Sequence, residues 1–173
     1  MDEILYLVIP CYNEEQVLHE TSSRLLIKLN SMIEEGVVSC KSKILFVNDG
    51  SKDRTWDIIK ELHEKNNIFL GINLSRNRGH QNALLAGLMT AKDYADISIS
   101  LDADLQDDIE VMNKFVYEYH KGNDIVYGVR SSRDKDTFFK KHSALMFYKL
   151  MNKMGGEIIY NHADYRLMSK RAL

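Results

Sequence analysis

The chain has 173 residues, a formal net charge of −2, 45% hydrophobic and 28% charged residues; it can bury one real core, and it has no global pull toward nucleic acid, so any electrostatic function must be local. Cys11 and Cys40 share no metal-ligand or redox spacing, which fits a reducing compartment. The acidic opening MDEILYLVIP carries too short an apolar run for a signal peptide, and no stretch approaches the ~18 apolar residues a bilayer crossing needs, so a soluble, cytoplasmic chain is expected.

Short β-branched runs alternate with longer amphipathic ones. A strand is expected over 4–10 (ILYLVIP), then a helix over 15–35 with Leu18, Ser22, Leu25, Leu29, Met32 and Ile33 on one face. Strands follow at 43–49 (KILFVND), 68–75 (IFLGINLS), 96–102 (DISISLD) and 124–129 (DIVYGV), separated by helical patterns at 53–65, 80–92 and 109–121. Pro10 closes the first strand. Beyond residue 130 come a polar, basic loop, an amphipathic segment over 137–154, the string GGE and a short tail. Strands alternating with helices predict right-handed crossovers and a largely parallel sheet covered on both sides. No repeat or linker divides the chain, so 1–173 is expected to be a single domain.

In open α/β sheets, ligands bind outside the carboxyl ends of the strands. Each of the first four strands runs straight into a polar string: PCYNEE, NDGSKDRT, SRNRGHQN and DADLQDD. The first reads equally as a helix start capped by Asn13, with Glu14 and Glu15 at the positive helix end. The second reads as a glycine turn with Ser51 or Asp53 as cap, although Asp49 could accept a nucleobase N–H and Asp53 could contact a ribose. The third sets Gly79 at the head of a helix, where backbone can approach a phosphate closely. It has neither the P-loop nor the dinucleotide-binding glycine spacing.

DADLQDD is harder to explain as a turn alone. Asp102 and Asp104 share a face if the chain is still extended there. With the Gln106 carbonyl they make a hard oxygen cluster suited to Mg²⁺ or Mn²⁺. Asp107, Asp108 and Glu110 suit the start of the next helix. From Arg130 to Lys141 there are five cations (Arg130, Arg133, Lys135, Lys140, Lys141) and two acids (Asp134, Asp136), a surplus of three. This loop is either a solvated surface or a phosphate-binding one. Near the end, NHADYRLMSKR embeds Asp164 and Arg166 as either a structural ion pair or part of a site.

Taken in order, VIPCYNEE, VNDGSKDRT, LSRNRGHQNALLAGL, LDADLQD, GVRSSR and DYRLMSKRAL resemble a family-2 glycosyltransferase of the GT-A fold, and within it the polyprenyl-phosphate branch. The resemblance covers essentially the whole chain and implies an α/β, Rossmann-like domain, with 130–173 as acceptor loop, amphipathic helix and C-terminal site segment. It implies a nucleoside site at Pro10, Tyr12, Asn13, Glu14, Asp49 and Asp53, bordered by Asn77, Gly79, Asp102 and Ala103. Asp102, Asp104 and Gln106 would bind the divalent ion, Arg130 and Arg133 would meet the acceptor phosphate, and Asp164 with Arg166 would complete the reacting centre. The family usually has proline where this chain has Asp108, and many members of the branch continue into transmembrane helices.

The expected reaction is displacement at the anomeric carbon of a nucleotide-sugar, with inversion. UDP-sugars are favoured over GDP-mannose, and the expected acceptor is a polyprenyl phosphate at the cytoplasmic face of a membrane. A glycan hydroxyl acceptor would instead need Asp164 as general base. A nucleotidyltransferase would share sheet and metal but place a glycine-rich, lysine-containing loop after the first strand. A nucleotide-sugar or lectin-like binder would not need paired aspartates beside a basic loop. The segment 137–154 suits either a core helix or peripheral contact with anionic lipid.

Overall fold

The computed structural model describes residues 3–129 and 162–173. The chain divides into two compact units, one formed by Met1–Val126 with Asp164–Leu173 and the other by Tyr127–Ala163. Most of the second unit, including the basic loop with Arg130 and Arg133 and the 137–154 segment, lies outside the described residues.

The element order is β1 (Leu5–Cys11), α1 (Leu18–Glu34), β2 (Lys43–Asn48), α2 (Thr55–Lys65), β3 (Phe69–Asn73), α3 (His80–Tyr94), β4 (Ile97–Ser100), a 3-10 turn (Ile109–Val111), α4 (Met112–His120), β5 (Ile125–Val129) and β6 (His162–Ser169). The six strands form one sheet in the order β3-β2-β1-β4-β6-β5. β1 lies between β2 and β4 and pairs parallel with both; β2 and β3 are also parallel, whereas β4 and β6 are antiparallel. The expected α/β, mostly parallel sheet is therefore present.

β1 is buried along its whole length, as a continuous apolar run inside a two-sided sheet must be. Tyr6 and Val8, with Leu45 and Val47 of β2, pack against Ala83, Leu84, Leu88 and Ala91 of α3. α3 approaches so closely that a Cβ on Gly87 would lie 2.4 Å from a Val8 methyl. On the alternate pleat, Leu5, Leu7 and Ile9 are fully buried, as are Leu18, Leu25, Leu29 and Met32 of α1. Each such side chain contributes about 1.5–3 kcal/mol.

The unequal lengths of the strands shape the carboxyl edge. β1 runs on to Cys11, paired with Asn48 of β2, while β4 ends at Ser100, opposite Val8. Pro10 thus sits within β1 rather than closing it, on a stretch where no β4 residue calls for its missing N–H. The apolar run 96–102 shortens to Ile97–Ser100, and the short tail, to which no strand was assigned, contains strand β6.

Candidate active site

A cleft of about 460 Å³ opens at this edge. The end of β1 and its exit supply Pro10, Cys11, Tyr12 and Glu14; the β2 exit supplies Asp49; and Asn77 and His80 follow β3. Asp102, Ala103 and Asp104 follow β4, and β6 contributes Asp164. Asn13, Asp53, Gly79, Gln106 and Arg166 do not line the cleft.

The residues behind the wall hold the loops in place. Asn13 does not cap α1. It adopts a left-handed conformation (φ 57°), donates its amide to Ser51 Oγ and accepts Lys52 N–H on its side-chain oxygen. α1 begins only at Leu18 and has no side-chain cap. Asp53 accepts the amide and hydroxyl of Thr55 on one oxygen and the Glu15 amide on the other. Burial works to raise its pKa, but these donors, Thr55 foremost, hold it below the usual carboxylate range. The β1 and β2 exits are thereby laced together.

Asp49 is 2% exposed, and its two oxygens accept the amides of Arg78 at 2.6 Å and Gly79 at 2.9 Å. Its carboxylate therefore anchors the β3 exit at the cleft wall, and any nucleobase contact would have to share those oxygens. Gly50 makes the approach possible: at φ 65°, a Cβ there would lie 2.4 Å from the Arg76 carbonyl carbon. Asn77, which reaches the cleft, also accepts Gly79 N–H on its side-chain oxygen.

Asp102 and Asp104 both reach the cleft, but not by sharing a strand face. The chain leaves β4 at Ser100 and turns, with Leu105 at φ 51°, so the premise of an extended backbone fails while the juxtaposition holds. Thr21 of α1 donates its hydroxyl to the Ala103 carbonyl, and buried Lys28 pairs with Glu110 at 2.8 Å. Gln106 is exposed and does not line the cleft; its backbone amide donates to Asp104. Asp108 caps the 3-10 turn by accepting Glu110 N–H, the helix-start role expected of it.

The cleft is electrostatically crowded. Burial, then the nearness of Asp104, Asp53 and Asp102, pushes the Glu14 carboxyl up. Burial likewise raises Asp102; His80 partly offsets this, while Asp104, Asp107 and Asp164 add to it. Among the described residues no group of three or more His, Cys, Asp or Glu side chains is preassembled around a metal position. Two hard carboxylates facing one cleft nonetheless fit a divalent ion that takes its other ligands from water or diphosphate.

β6 brings Asp164 to the cleft. Its Arg166 stands opposite Ser100 of β4, and Ser100 Oγ donates to the Asp164 carbonyl. On the other pleat face Tyr165 packs on Phe115 with ring centroids 4.8 Å apart, and its hydroxyl donates to the Asp108 carbonyl at 3.0 Å. The strand carrying Asp164 and the loop carrying the paired aspartates are thus tied to each other. Arg166 is half-buried beside this strand pair, its Nε buried without a hydrogen-bond partner among the described residues.

Two cleft residues, Cys11 and His80, were not expected from the sequence. His80 places Nε2 3.2 Å from Asp164 Oδ2 and 3.7 Å from Asp102 Oδ1. Its position as first helical residue after Gly79, at the edge already marked by four polar strings, was the available signal.

An α/β sheet with an acidic cleft at the carboxyl edge, Asp102 and Asp104 following β4 and an antiparallel strand beyond, is the GT-A glycosyltransferase architecture. The family model of glycosyl transferase family 2 matches residues 6–173, and the chain belongs to that family. It is 56% identical over 98% of its length to the uncharacterized glycosyltransferase YkoT of Bacillus subtilis, covering 50% of that protein. It is 38% identical over 95% of its length to the prophage bactoprenol glucosyl transferase homolog of Escherichia coli, covering 51% of it. The chain thus spans about half the length of these relatives. Among solved structures, glucosyl-3-phosphoglycerate synthase from Mycobacterium tuberculosis, in complex with Mn²⁺, UDP and phosphoglyceric acid, shares the fold at 15% identity and a TM-score of 0.60. That match covers 98% of this chain and 56% of the other.

Proposed function

We propose that this domain moves a sugar from a nucleotide-sugar, a UDP-sugar in preference to GDP-mannose, onto a polyprenyl phosphate at the cytoplasmic face of a membrane. The observation that carries the reading is the meeting of Asp102 and Asp104 with Asp164 in one cleft of a family-2 domain. The E. coli relative named for bactoprenol supports the acceptor, and the M. tuberculosis synthase bound to Mn²⁺ and UDP supports the donor and cation.

Asp102 and Asp104 would hold Mg²⁺ or Mn²⁺, which when bound stabilises charge on a departing diphosphate. The chain's own residues then have separable tasks. Tyr12, Glu14 and Asn77 line the nucleotide side, and Asp49 and Asp53 fix the loops that carry them. An acceptor phosphate oxygen bonds to the anomeric carbon as the bond from that carbon to the diphosphate oxygen breaks, inverting the centre. An acceptor already ionised near neutral pH needs no base, only cations to position it. Arg130, Arg133 and Arg166 are assigned to that task, since guanidinium forks match phosphate. Asp164 then orients the sugar or an arginine. The basic amphipathic segment 137–154 is assigned to peripheral contact with anionic lipid. Among the described residues no helix is long and apolar enough to cross a membrane.

The test supplies the purified protein with a radiolabelled UDP-hexose, Mn²⁺ and either undecaprenyl phosphate in detergent or a soluble oligosaccharide. Label moving into the lipid phase supports the reading. Transfer only to the oligosaccharide would replace it with a glycan acceptor and Asp164 as base.

A further inference from the structure

Asp164 arrives on an antiparallel strand, and the residues that meet it lie more than eighty positions earlier, at the start of α3. His80 Nε2 lies 3.2 Å from Asp164 Oδ2, and Gln81 Nε2 donates to the same oxygen at 3.0 Å. α3 is entered through Gly79 at φ 88°, a conformation that glycine adopts without strain and that sets His80 as the first helical residue. From the geometry we infer that His80 and Gln81 are positioning residues that clamp Oδ2 of Asp164 and so fix how its carboxylate faces the reacting sugar.

Gln81 supplies the hydrogen bond of the clamp, and His80 sets Nε2 at ion-pair distance from the same oxygen. The clamp also answers a local problem. Asp102 and Asp164 face one cleft, and His80 lies within 3.7 Å of an oxygen of each. Without the imidazole, mutual repulsion favours a rotamer that swings Asp164 away from Asp102. Among the described residues no protein donor is given to Oδ1, so Oδ2 is the handle and Oδ1 the oxygen left for substrate. A carboxylate misplaced by about 1 Å costs on the order of 10²-fold in turnover.

The inference rests on the glycosyl-transfer reading, and the experiment separates the two. For His80→Ala we expect kcat for sugar transfer to fall about 10²-fold, with KM for the UDP-sugar within about twofold of the parent. His80→Gln, which restores an N–H at similar reach, should recover most of the loss, and Gln81→Leu should show a smaller fall in kcat alone. Parent-level kcat in His80→Ala, or a rise in KM without a fall in kcat, would overturn the clamp. A second measurement does not depend on turnover. The imidazole ¹⁵N resonances of His80 should show a proton on Nε2 in the parent and shift in Asp164→Ala. Unchanged resonances would overturn the clamp even if the parent transfers sugar, whereas a parent that transfers none but shows the shift overturns the transfer reading alone.

Discussion

Thr21, buried in α1, donates its hydroxyl to the carbonyl of Ala103 at 2.6 Å, and so fixes the backbone between the two aspartates of the acidic turn. A residue more than eighty positions upstream thereby sets the spacing of Asp102 and Asp104. Thr21→Val keeps the shape and removes the donor, leaving a buried carbonyl unpaired at a cost of about 1–3 kcal/mol. The expected result is a lower melting temperature together with weaker Mn²⁺-dependent UDP binding, while Thr21→Ser restores both. Calorimetric titration of the three proteins checks it.

Asp49 offers a sharper separation of roles. If its main duty is to hold the amides of Arg78 and Gly79, Asp49→Ala should cost about 1–3 kcal/mol of stability even without nucleotide. A loss of UDP affinity should accompany it, because Asn77 sits on the loop released. A variant that binds UDP weakly but unfolds at the parent denaturant midpoint would instead return Asp49 to a direct nucleobase contact.

The sheet was legible because its strands are short β-branched runs, and β1 to β5 all fall within a residue or two of their expected limits. β4 stopped early because its acidic exit turns away as β1 continues. β6 was overlooked although HADYRLMS alternates: Asp164 and Arg166 are half-buried, while Tyr165 and Leu167 are buried. The pattern was readable, but its insertion between β4 and β5 was not, because antiparallel pairing across so long a separation leaves no local trace. The same pairing explains why His80 escaped notice. Its partner is set by topology, whereas Asp102 and Asp104 are marked by their own mutual repulsion.

That repulsion has a measurable cost. Burial and neighbouring carboxylates raise the Asp102 carboxyl above its usual range. A folded-state value above the unfolded one means the stability present at low pH is lost as pH rises through the folded value. Without metal, Asp102→Asn should therefore be more stable than the parent at pH 7, with the gap closing as pH falls below the carboxylate range. Adding Mn²⁺ to the UDP-bound protein should raise the melting temperature of the parent further and leave that of the variant unmoved. Thermal melts across pH, with and without Mn²⁺ and UDP, follow both effects.

On the acceptor side, Arg130→Ala and Arg133→Ala should each lose transfer to a polyprenyl phosphate while keeping parent UDP affinity. Binding to anionic vesicles should weaken at high salt, because screening removes the cationic contribution. Parent-rate lipid glycosylation by both variants would remove these arginines from the acceptor site.

The most direct measurement is calorimetric titration of UDP into the parent and into folded Asp104→Ala, each with and without Mn²⁺. The paired-aspartate cleft predicts that Mn²⁺ strengthens UDP binding to the parent at least tenfold, about 1.4 kcal/mol, and has no effect on Asp104→Ala. Equal Mn²⁺-dependent UDP affinity in the two proteins would contradict it.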